Sequence, residues 1–101
     1  MLYKLLIAPA AFIDTEDAFD YYEKQQQGLG ERFLKFVDDS YTKLSNTPHH
    51  YGFVNNKKDL RDLRIKNFPF VIIFQIFQDK ILVLRVFNTN RNPLSIKIYK
   101  A

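Results

Sequence analysis

The sequence predicts an α+β fold in the order β-α-α-β-β-β, with a helical hairpin packed on one face of an antiparallel sheet. Three observations carry this. Apolar residues recur at helical spacing through the first half, up to Thr47-Pro48. The second half switches to two almost continuous apolar runs of strand length, "FVIIFQIF" and "ILVLRVF". Between the two helical stretches stands Gly28-Leu29-Gly30, a link so short that the helices must lie antiparallel.

Taken in order, Leu2 to Ile7 reads as a short strand. Pro9 suits the first turn of a helix, where its missing N–H costs nothing. Ala11, Phe12, Thr15, Ala18, Phe19 and Tyr22 then form one broad stripe, with Asp14, Glu16, Asp17, Asp20, Glu23 and Lys24 mostly off it. Gly28 is a natural left-handed stop. The second helix repeats the spacing through Leu29, Phe33, Phe36, Val37, Ser40, Tyr41 and Leu44. It ends at Thr47, because the residue before a proline avoids the helical region. A charged strand follows over Asp59 to Lys66, with Leu60, Leu63 and Ile65 as its apolar members.

Phe70 to Phe77 is apolar on both faces except at Gln75, so it reads as a central strand. Ile81 to Phe87 returns after "QDK". A three-residue connection puts Ile72, Phe74 and Ile76 on one face with Leu82, Leu84 and Val86, and Gln75 with Arg85 on the other. A two-residue connection separates Gln75 from Arg85. The first register is preferred because it leaves a uniformly apolar face for the helices. Apolar residues on both faces also suggest more apolar surface than two helices cover, and hence a partner segment added as a strand or laid in a groove.

The chain has 101 residues, 47% hydrophobic and 16% aromatic, with ten Phe and six Tyr, so a single domain over residues 1–101 has ample material for a core. There is no cysteine, which excludes disulfides and thiolate zinc sites and fits a reducing cytoplasm. The first residues are too short and interrupted for a leader or a membrane span. The formal charge of +4 suits an acidic or polyanionic partner, or simple solubility. No cofactor or metal is implied, since His49 and His50 on an extended chain point opposite ways.

The remaining chemistry is basic and amidic. Lys57, Lys58, Arg61, Arg64 and Lys66 crowd one strand and its entry, either as the charges that protect a sheet edge or as a phosphate-contacting strip. Alternation puts Arg64 and Lys66 on one face and Arg61 on the other. "VFNTNRNP" closes the last strand. As a turn it needs no further role, because Asn tolerates left-handed geometry and Pro93 bars further pairing. As a site, Asn88 ends a core row and Arg91 reaches back across it, a fork suited to phosphate or carboxylate.

Gly28-Leu29-Gly30 before Phe33, Arg61 seven residues before Phe68-Pro69-Phe70, and Arg91-Asn92-Pro93 after the last strand together resemble the RelE/ParE superfamily of toxins from type II toxin–antitoxin systems, also known as plasmid stabilisation proteins. The resemblance covers nearly the whole chain. It implies an αα-hairpin on an antiparallel sheet and neutralisation by a cognate acidic antitoxin. It also implies one of two targets: ribosome-bound mRNA, cut without a metal by RelE-like members, or DNA gyrase, poisoned by ParE-like members.

Metal-free RNA cleavage needs several cations and a proton-transfer group converging on one phosphate. At the positions where RelE-like nucleases carry such cations, this sequence looks to have Asp62, Arg64 and Val71. Many relatives end in H-x-x-R-x-P, and here the His position is Asn88, whose amide does not titrate near neutrality. The catalytic candidates are therefore Arg61, Arg64, Arg91 and Asn88. Lys57, Lys58, Lys66, Arg85 and Tyr99 are candidates for target contact. The reading adopted is growth inhibition by binding, with a RelE-like endoribonuclease and an inactive family member as alternatives.

Overall fold

The computed structural model describes residues 2–54 and 59–90. Its elements are β1 (Lys4–Ile7), α1 (Pro9–Gln25), α2 (Leu29–Asn46), a 3-10 turn at Pro48–His50, β2 (Arg61–Arg64), β3 (Phe70–Phe77) and β4 (Lys80–Asn88). The two helices pack on a four-stranded sheet of order β1-β4-β3-β2. That is the expected architecture, with one difference at the edge. β3 runs antiparallel to both of its neighbours, β2 and β4, but β1 joins β4 in parallel, so the sheet is mixed.

The parallel edge follows from where α1 goes. The Ala8 N–H still bonds Val83 O at 2.8 Å, and α1 then continues in the sense of β1 instead of doubling back on it. Asp14 consequently meets Val86, three residues further along β4. α2 brings the chain home, with Ser45 O accepting the Tyr3 N–H at 2.9 Å. β2 therefore starts at the same end as β1.

Gly28 takes φ +87°, the left-handed geometry that glycine adopts without cost, and turns the chain between the helices. The Glu23 carboxylate accepts the Gly28 and Gly30 N–H groups, each at 2.9 Å, and so holds the link. α1 buries Ala11, Ala18 and Tyr22, while α2 buries Gly30, Phe33, Val37, Ser40 and Leu44. Phe12, expected within the buried stripe, is 58% exposed. The small Ala11 and Ala18 form the contact line, and Phe12 lies a quarter turn round the helix from it.

β3 lies between β2 and β4, which explains its apolar character on both faces. Phe70, Ile72 and Phe74 face the helices. An aromatic cluster of Tyr22, Phe33, Phe68 and Phe70 ties hairpin to sheet, with the Tyr22–Phe68 and Phe33–Phe70 centroids 4.9 and 5.0 Å apart. Each buried Phe contributes about 1.5–3 kcal/mol. Val71, Ile73 and Phe87 face the other way and are buried beside Val54, with Leu60 and Leu84 against them. Among the described residues, Val54, Leu60 and Leu84 thus cover part of this outer strip.

The register between β3 and β4 corrects the three-residue turn. Phe77 pairs with Lys80, so only Gln78 and Asp79 connect the strands, with Gln78 at φ +56°. Farther on, Ile73 pairs with Arg85 and Phe74 with Val83, leaving Leu84 as an extra residue in a β-bulge. The core partners of Ile72, Phe74 and Ile76 are therefore Val86, Val83 and Ile81, and Leu82 and Leu84 are not among them. Because the bulge restores the parity that the shorter turn shifts, Gln75 and Arg85 still share the outer face.

Candidate functional site

Past Val83, β1 has ended and α1 lies beside the edge of β4. The Val86 N–H points out of that edge and donates to Asp14 Oδ2 at 3.0 Å. The same carboxylate receives Arg85 as a fork, Nε to Oδ2 at 2.7 Å and Nη2 to Oδ1 at 2.9 Å. Arg85 starts from the outer face, lies over the Phe87 ring with its guanidinium carbon 4.5 Å from the centroid, and rounds the edge to reach Asp14. The bulge at Leu84 is what aims it there. The side chains are 32% and 17% exposed, so the pair is partly dry and stronger than a surface ion pair.

This pair forms one wall of a pocket of about 260 Å³ that Asp17, Phe70, Phe87 and Asn88 also line. Asn88 pairs with Phe70 at the end of the core row. Its Oδ1 accepts the Asn90 N–H at 2.8 Å, forming a side-chain-closed turn. Thr89 anchors the same turn, its N–H and Oγ1 donating to Pro69 O at 2.7 and 3.1 Å. The mouth of the strand is thus built from amides, a hydroxyl and a neutralised arginine.

The other sequence-predicted residues lie elsewhere. Arg61 is held on the helix-facing side of β2, with Nη1 donating to Tyr51 O at 2.6 Å and its guanidinium 4.0 Å above the exposed Phe53 ring. It lines a pocket of about 270 Å³ with His49, Asp59 and Gln78. His49 sits in the 3-10 turn rather than on an extended chain, with its ring against Tyr3. Arg64 and Lys66 are exposed and line a third pocket, of about 650 Å³, with Phe36, Asp39 and Tyr51. Arg64 pairs with Val71, which pairs with Phe87. Two strand spacings, about 10 Å, therefore separate Arg64 from β4. Arg64 and Asn88 belong to the same end of the sheet but to opposite faces. Lys57, Lys58, Arg91 and Tyr99 lie outside the described residues.

Among the described residues, the expected cations are thus not gathered at Asn88: Arg61 and Arg64 stand apart, and Arg85 is held by Asp14. Sequence reasoning missed Asp14 as the partner of Arg85, 71 positions away. One signal was available. A lone arginine inside an apolar strand needs a carboxylate, and helix α1 is where the acids are. Among the described residues, no helix is long and apolar enough to cross a membrane, and no three His, Cys, Asp or Glu side chains group to hold a metal ion.

Residues 5–93 match the family model described as the ParE toxin of type II toxin–antitoxin system, parDE. No curated protein matches the chain in sequence. Among solved structures, the chromosomal ParDE system of P. aeruginosa is similar at TM-score 0.76 and 17% identity, over 86% of this chain and 96% of that one. The E. coli DinJ–YafQ toxin–antitoxin complex follows at 0.62 and 10%, over 89% and 96%. A mutant of the E. coli toxin RelE in the free state aligns at 0.58 and 12%, over 99% and 95%.

Proposed function

The chain belongs to the ParE toxin family of type II toxin–antitoxin systems, and from that premise we propose that it arrests growth by binding an essential target, DNA gyrase, and is silenced by a cognate antitoxin. The observation that carries the choice of target is the chemistry at the end of β4. Asn88 stands where nuclease-like relatives have a proton-transferring His, and its amide oxygen is engaged in a turn with Asn90. Arg85, the nearest described cation, is neutralised by Asp14. Cleaving RNA without a metal requires a proton acceptor and unpaired positive charge on one phosphate. Binding requires neither. The similar P. aeruginosa and E. coli structures are named as a ParDE system and as a toxin–antitoxin complex, which supports a protein partner that silences this one.

Within the binding reading, Arg91 keeps the role of clamping a carboxylate or phosphate on the target, with Arg64 and Lys66 on the outer edge as supporting contacts. Induced expression of the chain alone tests the proposal. Growth should stop while transcripts keep their natural ends, and Arg91→Ala should restore growth without loss of folding. New cleavage ends within translated messages would overturn it in favour of the endoribonuclease.

A further inference from the structure

β4 loses a neighbour before it ends. β1 pairs with it as far as Val83, and the Ala8 N–H closes that run on Val83 O at 2.8 Å. Beyond Val83, α1 faces the edge that β1 has left, and Asp14 takes the place of a strand there by accepting the Val86 N–H. Ala11 and Ala18, three residues before Asp14 and four after it, are buried and place it on the packed side of the helix. Two methyl side chains let the α1 backbone come close to β4, so that an acid as short as aspartate reaches the strand's own backbone. The fork from Arg85 then fixes the carboxylate in rotation as well as in place, because two N–H donors meet its two oxygens at 2.7 and 2.9 Å.

What this clasp holds is the approach of the chain to its polar turn. Two residues past Val86, Asn88 pairs with Phe70 and accepts the Asn90 N–H on its side chain. From the β3 side, Pro69 O takes both the N–H and the hydroxyl of Thr89. The turn is thus gripped from β3 at Thr89 and from α1 at Val86, and Arg91 follows it directly in sequence. We propose that Asp14 is the positioning residue of the target-binding end of the sheet: by fixing β4 against α1 it sets where the turn at 88–90, and the arginine that follows, meets the target. This rests on the reading that the chain arrests growth through contacts at this end. The length of the acid then matters as much as its charge. Glutamate has the same charge and the same two oxygens on one more methylene. It keeps Arg85 only by pushing helix and strand apart or by releasing the Val86 N–H. A binding constellation has to be held within about 0.5 Å of its working geometry, which is less than one added carbon–carbon bond.

The test compares variants of the full chain by thermal melting, amide hydrogen exchange and growth arrest on induction. Asp14→Glu should melt close to wild type, because the ion pair survives. It should nevertheless exchange the Thr89 and Asn90 amides faster, and on the order of tenfold more induced protein should be needed to stop growth. The Ile72 and Phe74 amides, in the middle of β3, should exchange as in wild type. Arg85→Lys keeps the charge but not the fork, and should likewise speed exchange at Thr89 and Asn90. Leu44→Val weakens the core near the other end of the fold, and should lower the melting temperature without raising the amount of protein needed for arrest. Wild-type exchange at Thr89 and Asn90 in both Asp14→Glu and Arg85→Lys overturns the inference. So does faster exchange in Asp14→Glu with undiminished arrest, since the target then does not read this turn. Equal loss of arrest in Leu44→Val assigns the effect to stability and overturns it as well. A wild-type chain that arrests growth but leaves gyrase untouched overturns the proposed target alone, because neither exchange nor arrest presumes what the target is.

Discussion

Replacing Asp14 by alanine removes one carboxylate and leaves three donors without it: Nε and Nη2 of Arg85 and the Val86 N–H. Taking one member from a partly buried charged pair strands the other, so the loss should be about 2–3 kcal/mol in urea unfolding. Asp14→Ala combined with Arg85→Ala should lose less than the sum of the singles, because the second change removes the stranded charge. Additive losses would mean that the fork contributes nothing. Tyr41 offers a second residue-scale test. Burial pushes its phenol up to about 12, helped by the charges of Asp38 and Asp14 and opposed by a hydrogen bond with Thr15. The unfolded chain ionises this group near its ordinary value of about 10. Stability from the neutral phenol is therefore complete below that pH and is lost as pH rises towards 12. Tyr41→Phe should flatten the fall between these values, and one of the six tyrosines should titrate late in phenolate absorbance.

At the scale of elements, the hairpin depends on closeness and on one clasp. Alanine at Gly30 gains about 1 kcal/mol of helix propensity. Its Cβ would nevertheless lie 2.8 Å from the Phe19 carbonyl oxygen and ring. Backbone cannot step aside cheaply, so Gly30→Ala should be net destabilising by about 1–3 kcal/mol in thermal melts. Gly28→Ala meets no atom and should cost about 1 kcal/mol through its left-handed φ alone. The helices, the central strand and their order were legible in the sequence because each has a long, one-signed pattern. Three features were not. The two-residue turn and the Leu84 bulge compensate each other, so that Gln75 and Arg85 share a face under either reading. The parallel edge depends on the direction α1 takes, which no local pattern encodes. The exposure of Phe12 depends on which of two neighbouring apolar lines packs, and two alanines decided it.

Charge divides the whole molecule: the helical hairpin is acidic, while the described bases of the strand half are spread over the sheet, with Arg64 towards one end and Lys4 and Lys80 at the other. The candidate site was only partly legible for a related reason. The sequence named residues by type, and alternation placed Arg61 and Arg64 on opposite faces, as they stand. It did not show that Arg85 is held by a helix 71 positions upstream, because ion pairs across the fold leave no spacing to count. That fork removes the nearest described cation from Asn88 and favours binding over cleavage. The most direct measurement is a DNA supercoiling assay with purified gyrase and the purified chain. Dose-dependent loss of supercoiling, relieved by adding the cognate antitoxin, is the expected result; full gyrase activity in the presence of chain that still arrests growth would contradict the account.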